Sequence, residues 1–299
     1  MSQKPDLFDN EFLQFHAYTQ WLSDHEDEYE FASRERAVAG LAQSIWQHWK
    51  YETGPCAECP YSCQERPYHP NFGGFNFEAE VIVVGEEPGG GNAGDGNRDV
   101  EAGRKKSEVP DLYEQHGYSL KYRHSWPYDE VEENPDESQN YGTLIQTAAR
   151  LTQRWADLWD GSLKFSECYY TNAKKCPEIS NPEESPVWDS TEFDPAKVNE
   201  IAFDQCSSYL QREIQLVSPT VIMPFGKDAV RRVAQALNRE SEVSELVSPG
   251  KWAEHGRCTE PDSIWRDTTE RPYIVPSYFP TRATKGHLPA VLTVVDNLR

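Results

Sequence analysis

Two adjacent carboxylates, Glu86 and Glu87, follow the apolar run EVIVVG (80–85) and precede Pro88 and Gly89. An apolar run that stops at paired acids, a proline and glycines reads as a strand ending where backbone comes close to something else. Asn172 lies at the end of a second run, ECYYTNA (167–173), and Gly226 ends a third, TVIMPFG (220–226). Phe279 ends a fourth, YIVPSYF (273–279), and Pro280, Thr281 and Arg282 come next. Two carboxylates, an amide and an arginine can orient a polar ligand and stabilise charge that develops on it. Each has a bland reading too: Asn172 caps a turn, Gly226 supplies a positive φ, and either glutamate caps a helix. Their recurrence at four strand ends is what points to a site.

The cysteines add a second chemistry. Cys56 and Cys59 form CAEC, Cys63 follows four residues later, and Cys176 and Cys206 are remote. In a reducing compartment a CxxC with two distant cysteines fits a four-thiolate metal or cluster site better than disulfides. Spacing alone leaves zinc and iron-sulfur both open. Cys168 and Cys258 read as inert thiols.

The elements that must position these groups alternate. Helical patterns span 141–159, 196–217, 227–238 and 288–299, between or after the four runs. Strands separated by helices predict right-handed crossovers and a three-layer α/β/α fold with a mostly parallel, four-stranded central sheet. Ligands of such sheets sit beyond the carboxyl ends of the strands, where the constellation falls. The expected organisation is a helical N-terminal extension over 1–50 and one domain over 51–299. Polar insertions near 89–139, 177–194 and 239–270 read as surface loops or short helices.

Fifty acidic against 29 basic residues give a formal charge of -21. The excess is spread along the chain, which indicates a solvated acidic surface, plausible in a salt-adapted protein, and argues against a broadly basic nucleic-acid face. No run of 18 apolar residues occurs and MSQKPDLFDNEF carries no apolar leader, so a cytoplasmic protein without membrane contact is expected, as a monomer.

The ordered set CxxC, VVGEEPG, YYTNAKKC, CSSYLQREIQLVSPTVIMPFGKDA and VPSYFPT resembles the iron-sulfur branch of the uracil-DNA glycosylase superfamily, from about Cys56 to the C-terminus. The resemblance implies a [4Fe-4S] cluster held by Cys56, Cys59, Cys176 and Cys206, with zinc as the alternative. It implies that Asn172 reads the Watson-Crick edge of a flipped uracil, Glu86 contacts the base and helps place water, and Gly85, Pro88 and Gly89 line the base pocket. Glu87 stands where classical members of the superfamily carry a water-directing aspartate, and is expected either to stabilise charge or to cap a helix. The implied activity is hydrolysis of the N-glycosidic bond of uracil or another deaminated base in DNA. Phe279, Pro280, Thr281, Arg282 and Lys285 would meet the DNA, with Lys174 and Lys175 as further basic candidates.

Two departures from the family pattern bear on activity. Phe279 stands where the family has the histidine of HPS, and a phenyl ring donates no hydrogen bond to a leaving base. The family's PF.G..G stretch is missing, leaving Tyr141 as a weak substitute for its stacking aromatic. His287 lies eight positions beyond Phe279, and a histidine at a helix start is expected to face solvent. The competing expectation is a noncatalytic member that keeps the fold and some affinity for nucleic acid.

Overall fold

The computed structural model describes residues 41, 44–45, 47–60, 70, 74–76, 78–86, 155, 157–176, 195–280 and 284–299. Five strands form one sheet: β1 (Gly74–Phe75), β2 (Val81–Gly85), β3 (Tyr169–Asn172), β4 (Val221–Pro224) and β5 (Tyr273–Ile274), in the order β1-β3-β2-β4-β5. The β3-β2-β4-β5 portion is parallel throughout, as the alternation of strands and helices requires. To it the structure adds β1, a two-residue edge strand antiparallel to β3 that the sequence reading did not anticipate. Two residues are too few to show any periodicity.

β2, β3 and β4 are buried along their whole length, which is why β2 and β4 read as continuous apolar runs rather than as alternating ones, while β3 ends in the buried polar pair Thr171 and Asn172. Side chains still alternate between faces. Ile82, Val84, Tyr169, Ile222 and Ile274 pack on one face against helices α1 (Pro195–Val217) and α2 (Lys227–Leu237). Val81, Val83, Tyr170, Val221, Met223 and Phe225 pack on the other against Trp155, Phe165 and the C-terminal helix. These are the three layers.

Between β4 and β5 the expected polar insertion is made of short helices, α3 (Glu240–Val243) and α4 (Pro249–His255). The C-terminal helix α5 spans His287–Leu298. The expected fourth strand is shorter than its apolar run: β5 ends at Ile274, and an isolated bridge from Phe225 to Ser277 continues the alignment. Pro224 of β4 accounts for the interruption, since it has no N–H to donate to this segment, while the Val275, Ser277 and Gly226 N–H groups keep their bonds to the Ile222, Pro224 and Ser277 carbonyls. No helix among the described residues is long and apolar enough to cross a membrane.

The helix termini are set locally. α2 begins after Gly226 at φ 95°, a backbone conformation that glycine adopts without strain. It ends at Asn238 in the left-handed region, and the N–H of Arg239 bonds the carbonyl of Ala234 at 2.8 Å.

Candidate active site

Parallel pairing places Gly85 directly opposite Asn172 at the carboxyl ends of β2 and β3. Asn172 is only 3 % exposed. The Tyr170 hydroxyl, two residues back on the same face, donates to its Oδ1 at 3.3 Å. Nδ2 meets no acceptor among the described residues, leaving a donor for a ligand. Glycine at 85 is a steric requirement: a Cβ there would lie 2.4 Å from Asn172 Oδ1 and 3.0 Å from the Tyr170 hydroxyl. The Tyr170 ring is braced by Phe165, 5.8 Å away between centroids, and Phe165 by Trp155 at 5.4 Å. Burial raises the Tyr170 pKa, so its hydroxyl keeps the proton it donates.

Glu86, one residue past β2, turns toward the other face. Its Oε1 accepts the N–H of Asp228 at 3.3 Å in the first turn of α2, and the side chain lies across Gly226, where a Cβ would come within 2.1 Å of Oε1. Gly226 has no side chain with which to cap α2, and Glu86 supplies a cap acceptor from across the sheet. A helix N-terminus favours negative charge, so a carboxylate is well placed there. The backbone is tied in as well: Gly85 and Glu86 carbonyls accept the N–H groups of Ala173 and Lys174 at 2.8 and 2.9 Å. The amide and the acid thus flank one end of the sheet. Glu87, Pro88, Gly89, Tyr141, Thr281 and Arg282 lie outside the described residues, as do most of 1–50 and the insertions 89–139 and 177–194.

Phe279 is half-buried, its ring edge-on to Phe225 at 5.8 Å, with Pro280 buried behind it and Lys285 exposed on the loop beyond. His287 is fully buried, contrary to the expectation of exposure. Its Nδ1 pairs with the Cys258 carbonyl at 2.9 Å, and its Nε2 accepts the Tyr278 N–H at 3.4 Å. Burial lowers its pKa. A neutral ring with both nitrogens engaged has no donor left for a leaving base, so His287 does not replace the missing histidine.

Lys174 and Lys175 are also corrected. Both are buried, and neither can meet a phosphate. Lys174 Nζ bonds Asn199 Oδ1 at 2.6 Å and lies over the Phe203 ring. Lys175 Nζ pairs with Glu213 at 2.5 Å. Their direction follows from the turn after β3, which folds both side chains back against α1.

Cys56, Cys59, Cys176 and Cys206 share one buried cluster with Trp49, Ala202 and Tyr209. They come from a 3-10 turn, the residues after it, the turn after β3, and α1. The Cys176 pKa is raised by burial and then by the neighbouring Cys59, Cys206 and Cys56, while burial pushes Cys206 up to about 11. A thiol set this buried and mutually repulsive becomes thiolate when a cation compensates it. Two contacts suit sulfur in that state: the Lys175 N–H donates to Cys206 Sγ at 3.5 Å, and the Tyr209 hydroxyl stands 3.7 Å from Cys56 Sγ, with His48 Nδ1 2.7 Å behind it. The four thiols share one buried cluster, and no group of three or more ligating side chains among the described residues is placed to hold a metal ion. Cys63 lies outside the described residues; Cys168 is buried and apart from this cluster.

Two participants, Tyr170 and Glu213, were not singled out in the sequence. Tyr170 was legible as the same-face neighbour of Asn172 at i−2. Glu213 was legible as an acid within the buried stripe of Leu210, Ile214 and Val217 on α1.

A family model described as the uracil DNA glycosylase superfamily matches residues 119–291. The match takes in Asn172, Cys176, Cys206, Gly226 and Phe279, and begins after Cys56, Cys59 and Glu86. No curated protein matches the chain.

Proposed function

The chain belongs to the uracil DNA glycosylase superfamily, and from that premise we propose that it hydrolyses the N-glycosidic bond of uracil or another deaminated base in DNA, as in base excision repair. The observation that carries the reading is Asn172: a buried carboxamide at a strand end, its Oδ1 held by Tyr170 and its Nδ2 free of protein acceptors among the described residues. A base flipped out of the stack is read on its Watson-Crick edge. Oδ1 accepts uracil N3–H through its second lone pair, and Nδ2 donates to O4.

In the proposed reaction water attacks C1′ of the deoxyribose, and the electron pair of the C1′–N1 bond leaves with the base. The products are an abasic sugar and uracil, whose anion is reprotonated from solvent. Asn172 stabilises charge moving onto the base. Glu86, anchored on the α2 N-terminus, and Glu87 supply negative charge for the sugar as it becomes cationic and orient the water. Residues 280–285 meet the DNA backbone.

Cys56, Cys59, Cys176 and Cys206 would hold the [4Fe-4S] cluster, with zinc as the alternative. With the group bound, these four residues would join the start of the domain to the turn after β3 and to α1, and the group's role would be structural.

A second reading, a noncatalytic member that binds nucleic acid, is favoured by the packing of Phe279 against Phe225 in the position of the missing donor. Losing one preorganised donor costs about 10² to 10³ in rate. A uracil-containing oligonucleotide incubated with the protein and then cleaved with alkali at abasic sites separates the two. Strand scission that disappears in Asn172→Ala supports the enzyme. Selective binding of uracil-containing DNA without scission supports the binder, and neither activity removes both.

A further inference from the structure

The buried pair Lys175–Glu213 lies directly behind Asn172. Lys175 Nζ has three protons and three acceptors: Glu213 Oε2 at 2.5 Å, Thr171 Oγ1 at 2.8 Å and the backbone carbonyl of Asn172 at 2.8 Å. Glu213 projects from α1 and accepts in turn from the Tyr169 hydroxyl at 3.1 Å and from Thr171 Oγ1 at 2.9 Å. Both charged residues are 1 % exposed. One cation therefore fixes the last peptide of β3 to a helix on one face of the sheet, while Tyr170 fixes the carboxamide of the same residue on the other.

We propose that the Lys175–Glu213 pair is the positioning element of base recognition: it sets the backbone of Asn172, and thereby the carboxamide that reads the base. The inference rests on the assignment of Asn172 as the base reader. A buried ion pair is a poor source of net stability, because desolvation offsets the attraction, and it is often replaceable by neutral groups without loss. What a neutral replacement lacks is the charge-assisted bond to the Asn172 carbonyl. The pair also sits where chemistry is sensitive to place, since misplacing a reading group by about 1 Å can cost about 10²-fold in rate. The Lys175 N–H bonds Cys206 Sγ, so the same residue spans from the thiol cluster to the base reader.

The test separates position from stability. Lys175→Met alone leaves Glu213 charged and buried without its lysine, and is expected to unfold readily. Lys175→Met with Glu213→Gln removes both charges and keeps an acceptor for Tyr169 and Thr171. This double variant is expected to melt within a few degrees of the parent protein, with equal iron content and far-ultraviolet circular dichroism. Its single-turnover rate on uracil-containing oligonucleotide is expected to fall by about 10- to 100-fold, and its preference for binding that oligonucleotide over a cytosine-containing one to fall with it. Parental rate and preference in a folded double variant would overturn the positioning role while leaving Asn172 as the reader. So would a loss of rate matched by an equal loss of folded protein. If the parent neither excises uracil nor prefers uracil-containing DNA, the base-reading assignment itself fails, and the positioning role with it. A parent that binds selectively without excision keeps the test intact through the binding preference.

Discussion

Gly85→Ala probes the reading site with one carbon atom. The new Cβ would lie 2.4 Å from Asn172 Oδ1, where ordinary contact begins at 3.4 Å, so the amide must retreat by about 1 Å. It cannot retreat toward Tyr170, whose hydroxyl already lies 3.0 Å from the same Cβ. Gly85 has no left-handed φ, so the substitution acts by contact alone. A displacement of about 1 Å in a group that orients substrate is expected to lower single-turnover excision by about 10²-fold. Overpacking a dense site adds about 1–3 kcal/mol of destabilisation. Excision should therefore be measured on protein shown by thermal melting to be folded at the assay temperature. Gly250→Ala, at a helical position where an added Cβ meets nothing within 4 Å, serves as the control and should match the parent. A folded Gly85→Ala protein that excises uracil at the parental rate would refute both the cradle and the assignment of Asn172.

Phe279→His restores a donor near the leaving base and is expected to raise excision by roughly 10-fold or more; an unchanged rate in a folded, DNA-binding variant would favour the noncatalytic member. Cys176→Ser or Cys206→Ser should lower iron content and melting temperature together, read by elemental analysis and calorimetry, because each thiol joins distant segments; unchanged values would remove that residue from the ligand set. His255 is buried, with Nε2 donating to the Pro276 carbonyl at 3.0 Å, and burial lowers its pKa from 6.5 to about 4. The unfolded chain thus takes up this proton first, so the contribution is complete above about pH 6.5 and is lost as pH falls toward about 4. The difference between those two values corresponds to about 3 kcal/mol. Comparing denaturant unfolding of the parent and His255→Gln between pH 7 and 4 checks it: the variant should lose less stability on acidification, and parallel curves would contradict the argument.

The apolar runs determined β2, β3 and β4 and the acid, amide and glycine that end them, because a strand buried on both faces carries few polar positions to obscure its limits, Thr171 and Asn172 of β3 being buried exceptions. α1, α2 and α5 were similarly plain, being long and continuously patterned. The cysteine spacing pointed to Cys56, Cys59, Cys176 and Cys206 as a set, and the fold is what brings them into one buried cluster. Only the tertiary structure decided where Glu86 turns, since its partner at Asp228 is 142 positions away in sequence and the cap it completes belongs to a helix that starts with a bare glycine. The burial of Lys174, Lys175 and His287 was likewise invisible, for a sequence shows a charge or a ring but not the acceptors that satisfy it. Tyr170 and Glu213 reach the site through packing from opposite faces of one strand. The order of residues fixed which face each Tyr170 or Thr171 side chain takes; what waits on that face depends on the fold, because the sheet pairs segments that lie far apart along the chain.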